Sequence, residues 1–90
     1  MYMFDWDDSK NQQNINKHGV SFEEATKTFS DPDRLTLFDE GHSVKEDRYY
    51  CIGKVNDDIL TTRFVIRGNK IRIIGAGYWR KGKKRYEEKR

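Results

Sequence analysis

The hydrophobic period of this chain changes near its middle, and that change limits the folds open to it. Between Phe22 and Phe29 the apolar residues recur at helical spacing; from Arg34 to Ile74 they alternate or cluster as strand residues do. Phe22, Ala25 and Phe29 lie at i, i+3 and i+7, one face of a helix. Ser21-Phe22-Glu23-Glu24 is a capping box, with Ser21 at the cap and Glu24 reaching back to it, so the pattern predicts a helix over 22–29. Asp31-Pro32-Asp33 ends that helix, because proline removes a donor and fixes the turn. An earlier, polar helix is predicted from Asp7 or Asp8 to about Lys17. Ile15 is nearly its only aliphatic residue, so it should pack lightly. Gly19 suits the left-handed cap that closes it, and His18 suits the negative end of its dipole. Ahead of it, residues 2–6 alternate and read as a short strand.

The second part of the chain reads as four strands: 34–38, 49–55, 59–66 and 70–74. Breaks fall at Asp39-Glu40-Gly41-His42, at Asn56-Asp57-Asp58 and at Gly68-Asn69, and the last two are hairpin signals. Strands joined by short turns imply an antiparallel meander, wet on one face and covered by helices on the other. A basic helix over 81–89 follows, with Gly82 weakening its start. The fold class is therefore α+β: a small antiparallel meander packed with two N-terminal helices and a C-terminal basic helix. With 90 residues, one domain spanning 1–90 is expected. Only 34% of the residues are hydrophobic, but five Phe, five Tyr and two Trp can build a core, which argues against wholesale disorder.

Several classes of protein drop out. No run is long and apolar enough for a membrane span, and the N-terminus lacks a basic stretch followed by an apolar one, so a cytoplasmic, membrane-free protein is expected. A lone Cys51 excludes an intrachain disulfide framework and reads as a buried small hydrophobe. His18 and His42 are far apart with no carboxylate–histidine motif around them, so no metal and no cofactor are expected. Gly75-Ala76-Gly77 is too short for a dinucleotide fingerprint and reads as a bend or a close backbone approach.

Charge is unevenly placed. Residues 1–60 hold seven Lys/Arg against thirteen Asp/Glu, a net −6; residues 61–90 hold eleven against two, a net +9. The basic third suits nucleic acid or an acidic protein, or else forms a solvated face. Arg63, Arg67 and Arg72 fall on the last two strands. Arg63 and Arg67 share side-chain parity, and Arg67 and Arg72 flank the Gly68-Asn69 turn and are expected to pair across it. If they converge they form a phosphate clamp, because guanidinium forks match phosphate oxygens; otherwise they keep an exposed sheet face soluble. His42, in a polar loop, is placed either for proton transfer near neutral pH or for a backbone hydrogen bond. The segment Tyr78-Trp79-Arg80-Lys81-Gly82-Lys83-Lys84-Arg85-Tyr86 interleaves aromatics with cations, a mixture suited to single-stranded nucleic acid, although Trp79 is expected in the core.

Together these residues resemble a known family. Phe4-Asp5-Trp6-Asp7 and Lys17-His18-Gly19-Val20-Ser21-Phe22-Glu23-Glu24-Ala25 resemble the opening of the BrnT-like toxins of type II toxin–antitoxin modules. The likeness continues through Phe29, Asp31-Pro32, His42-Ser43, Asp47-Arg48, Ile52-Gly53, Arg67, Ile71-Arg72-Ile73-Ile74 and Tyr86-Glu87-Glu88. The resemblance implies a compact RelE-like fold and a metal-independent ribonuclease that arrests translation and growth. It also implies a cognate ribbon-helix-helix antitoxin, and promoter DNA bound only through the antitoxin complex. One departure stands out: the family commonly follows the Ile-rich strand with Ser-Ala-Arg, whereas Gly75-Ala76-Gly77 stands here. If that arginine serves cleavage, Arg80 or Lys81 has to replace it, or activity is weakened or lost. The departure leaves a non-catalytic module that binds antitoxin or nucleic acid as the alternative.

Under the ribonuclease reading, RNA's 2′-hydroxyl attacks its own phosphate, and the protein supplies charge and proton transfer. Arg48, Arg67 and Arg72 are assigned to the phosphate, with Arg63 beside them, and His42 to proton transfer, with Tyr86 or a lysine as substitute. Arg80 and Lys83 are assigned to guiding the RNA backbone.

Overall fold

Local capping chemistry starts the first two helices of the computed structural model, which describes residues 2–89. Strand β1 (Met3–Asp5) leads into helix α1 (Asp8–His18), whose N-cap Asp7 accepts a hydrogen bond from the Lys10 N–H at 3.0 Å. Gly19 closes α1 in the left-handed conformation, at φ 70°. Helix α2 (Phe22–Thr26) starts on Ser21, whose hydroxyl accepts from the Glu24 N–H at 3.0 Å. The reciprocal half of the predicted capping box is absent: the Glu24 carboxylate accepts from the Tyr78 hydroxyl instead. The predicted single helix over 22–29 is also divided, with α2 tightening into a 3-10 helix at Lys27–Ser30. That last turn brings Thr28 and Phe29 down onto the sheet, where both are buried.

The sheet contains β2 (Leu35–Phe38), β3 (Arg48–Val55), β4 (Asp58–Arg67) and β5 (Lys70–Gly77) as an antiparallel meander. Asn56 and Asp57 make the tight β3–β4 turn at positive φ, as the hairpin signal requires. The strand order is β1-β5-β4-β3-β2. Strand β1 departs from the purely antiparallel expectation: it pairs parallel with β5, Phe4 opposite Ile71 and Asp5 opposite Arg72, which makes the five-stranded sheet mixed. β1 covers only the first part of the outer edge of β5. Further along, the side chain of Asn14 on α1 takes the place of a neighbouring strand. Its Nδ2 donates to the Ala76 carbonyl at 2.9 Å, and its Oδ1 accepts from the Ala76 N–H at 3.3 Å. Asn11 Oδ1 likewise accepts from the Phe22 N–H at 2.8 Å. α1 buries no residue, as its poverty in aliphatics predicts, and these asparagines tie it to the fold.

One face of the sheet carries the main core. Val20, Phe22 and Ala25 pack on Val55, Leu60, Ile73 and Ala76, and beside them Phe29 packs on Cys51 and Phe64. Burying a side chain such as Phe22 or Leu60 contributes roughly 1.5–3 kcal/mol. Cys51 is fully buried and its thiol is pushed above its ordinary pKa by that burial, which suits a packing residue.

The opposite face is covered in part by α3 (Arg80–Glu88), which begins one residue before the predicted start. Its Tyr86 packs with Ile52 and Ile59. Gly82, a weak helix former, is buried at the contact between α3 and the sheet. A Cβ there would collide with Thr61 Oγ1 on β4, so glycine lets the helix sit close.

Candidate nucleic-acid interface

Pairing register, read strand by strand, assembles the cationic face. Arg48 on β3 lies opposite Val65 on β4, and Val65 lies opposite Arg72 on β5. Alternation along β4 puts Arg63 and Arg67 on the same side as Val65. Four arginines from three strands therefore share the face of the sheet opposite the main core. A bulge between Arg63 and Phe64 sets Arg63 opposite Gly75, and its side chain lies against that bare backbone. The expected pairing of Arg67 with Arg72 does not occur. Arg67 lies opposite Lys70, because the two-residue turn fixes the register two positions nearer.

These arginines line an open cleft of about 440 Å³, whose other wall is Lys10, Lys17 and His18 of α1. Two carboxylates hold arginines in place. Arg72 Nη1 lies 2.8 Å from Asp5 Oδ2, and Arg67 Nη2 lies 2.9 Å from Glu46 Oε1. The hydrogen bond from Arg67 draws the Glu46 carboxyl below its usual pKa. Arg67 remains 55% exposed at the side chain, so its guanidinium still faces solvent.

His42 lies in an adjoining cleft of about 740 Å³, together with Asp39, Tyr50, Lys81 and Arg85. Its Nδ1 is 3.0 Å from Asp39 Oδ2, so the imidazole is held by a carboxylate rather than by backbone. Asp39 is only 6% exposed. Burial opposes its ionisation, but hydrogen bonds from Tyr50 and His42 outweigh this and keep its carboxyl below the usual value. Ser43 braces the loop, its hydroxyl donating to the Asp39 carbonyl and accepting from the Arg48 N–H. Asp39 is the residue that sequence reasoning missed. Its signal was a carboxylate three residues before a loop histidine, ordinary until the loop closes around it.

The remaining candidates divide by helical phase. α3 directs Lys81 and Arg85, at i and i+4, into the second cleft. Arg80 and Lys83 are exposed on α3 and line neither cleft. Tyr86, assigned to substrate above, is 3% exposed, and its hydroxyl donates to Asp31 Oδ2 at 2.6 Å. It sits in the core because it shares the inward face of α3 with Gly82. Trp79 corrects the opposite expectation. It is half-buried and lines both clefts, as does Arg63.

Guanidinium groups at this density suit the phosphates of a polyanion. The family model described as "Ribonuclease toxin, BrnT, of type II toxin-antitoxin system" matches residues 6–83, and the chain belongs to that family. Its class of target is RNA and its class of partner an antitoxin. Comparison with curated proteins gives no match. No helix among the described residues is long and apolar enough to cross a membrane.

Proposed function

We propose that this toxin cleaves RNA without a metal, in a site spanning the two clefts. Arg48, Arg63, Arg67 and Arg72 hold the scissile phosphate and offset the charge that builds on it. The neighbouring 2′-hydroxyl attacks phosphorus, the 5′-oxygen leaves, and a 2′,3′-cyclic phosphate remains. His42, its Nδ1 held by Asp39, takes the proton of the attacking hydroxyl and returns one to the leaving oxygen. Arg80 and Lys83 lie outside the clefts and guide the flanking backbone. The observation that carries this reading is the register that places four arginines on one face. Cleavage in the cytoplasm then arrests translation and growth. A ribbon-helix-helix antitoxin neutralises the toxin, and promoter DNA is bound only through that complex.

The test is incubation of the purified protein with a defined single-stranded RNA in EDTA, beside an Arg67→Ala/Arg72→Ala double variant. Wild-type cleavage to cyclic-phosphate ends, reduced at least about a hundredfold in the variant, is the expected result. Equal cleavage by both proteins would remove the arginine face from the mechanism.

A further inference from the structure

Arg63 and Trp79 are shared by the two clefts and form the wall between them. The Trp79 indole is fixed there from two sides. It lies down on Gly77, where an added Cβ would come within 2.5 Å of Trp79 Cε2. It also meets the His18 ring edge-on, with centroids 5.3 Å apart and planes at 88°. Bare backbone under the ring and a perpendicular neighbour hold the half-buried indole at the junction of the two clefts. A core tryptophan would be enclosed, whereas this one keeps part of its surface in both openings. Cations on either side grip the backbone of a single strand, and an aromatic face between them takes a base.

We propose that Trp79 is the platform on which a base of single-stranded RNA stacks, next to the phosphate held by Arg63. This rests on the RNA-binding reading of the arginine face given above. The strand runs from the α1 side, past Lys10 and Lys17, over the Arg63–Trp79 wall, towards Lys81 and Arg85. Stacking is indifferent to base identity, so Trp79 adds affinity and sets the position of the strand without specifying a sequence.

The test compares a short 2′-O-methyl oligonucleotide, which cannot cleave itself, with an abasic oligonucleotide of equal length and charge. The wild-type protein should prefer the base-bearing strand about tenfold. Trp79→Leu should abolish that preference while leaving the salt dependence, set by phosphate contacts, unchanged. Trp79→Phe should restore most of it. Equal affinity for the two strands in the wild type, or a preference that survives in Trp79→Leu, would overturn the proposal and leave the arginine reading intact. Failure to bind either strand would overturn both. Should Trp79→Leu fail to fold, the emission of Trp79 in a Trp6→Phe background decides. Quenching by the base-bearing strand alone is expected, and quenching by neither or by both strands overturns the proposal.

Discussion

The two faces of the sheet are built from the same three strands and obey opposite rules. On one face Phe64, Cys51, Leu60 and Ile73 are buried under α2 and its 3-10 extension, and shape complementarity holds the fold. On the other, Arg48, Arg63, Arg67 and Arg72 occupy positions in the same strands and are held by Asp5, by Glu46 and by the bare backbone of Gly75. Pleating makes both possible, since successive residues point to opposite sides. The lesson is that packing and charge here are separable residue by residue: Leu60, Thr62 and Phe64 of β4 face the main core, whereas Arg63 and Arg67 line the groove.

Mutations that respect this division should separate folding from cleavage. The largest effect is expected from Phe22→Ala on the core side. Phe22 is fully buried, and its loss should cost about 3–5 kcal/mol in a denaturant titration. Cleavage per folded molecule should be retained. His42→Ala lies on the other side of the comparison. Its side chain is 61% exposed, so stability should fall only by about 1 kcal/mol, through the lost hydrogen bond to Asp39, while cleavage should fall about a hundredfold. Full activity in that variant would remove His42 from the mechanism.

Asp39→Asn comes next and tests where the two roles meet. It keeps the shape of the side chain and removes the charge that holds His42, so cleavage should fall about tenfold with an altered pH profile. The stability of the wild-type protein should also change with pH in a definite direction. The Asp39 pKa is lower in the folded protein than in the unfolded chain, so its stabilisation is present above the unfolded value and is lost as pH falls through the folded one. Asp31 has the same sign: burial opposes its ionisation, but hydrogen bonds from Tyr86, Lys54 and Asp33 outweigh it. Wild-type stability should therefore decline below about pH 4, and less steeply in Asp39→Asn. The smallest effect is expected from Glu46→Gln. Releasing Arg67 from its carboxylate should raise affinity for a non-cleavable RNA a few-fold, and a fall in affinity would mean that Glu46 orients Arg67 rather than competing for it.

Much of this was legible in the chain. The meander followed from alternation and hairpin turns, the helix starts from Asp7 and Ser21, and the family from the run Lys17 to Ala25. The direction of β1 was not, because three residues carry no mark of parallel or antiparallel pairing. The arginines of β4 could be placed on one face from parity alone. Adding Arg48 and Arg72 required the register of two hairpins, and the register depended on a turn length and a bulge. The placements of Tyr86 and Trp79 were hidden for a similar reason. Both are aromatics among cations in sequence, and only the docking angle of α3, permitted by Gly82 against Thr61, turns one inward and leaves the other between the clefts.

By itself, then, the sequence determined what local rules can determine: which segments are helix or strand, roughly where they begin, and which residues on a strand share a side; it missed the division of the helix over 22–29 and the continuation of β5 through Gly75-Ala76-Gly77. Those choices depend on backbone dihedrals, capping groups and the period of the side chains, all set within a few residues. The tertiary structure decided which distant side chains meet. Asp39 finds His42 only when a loop closes, Asn14 finds Ala76 only across the sheet edge, and four arginines form one face only when three strands pair in register. Such contacts are selected by the burial of the opposite face, a property of the whole chain that no short segment contains.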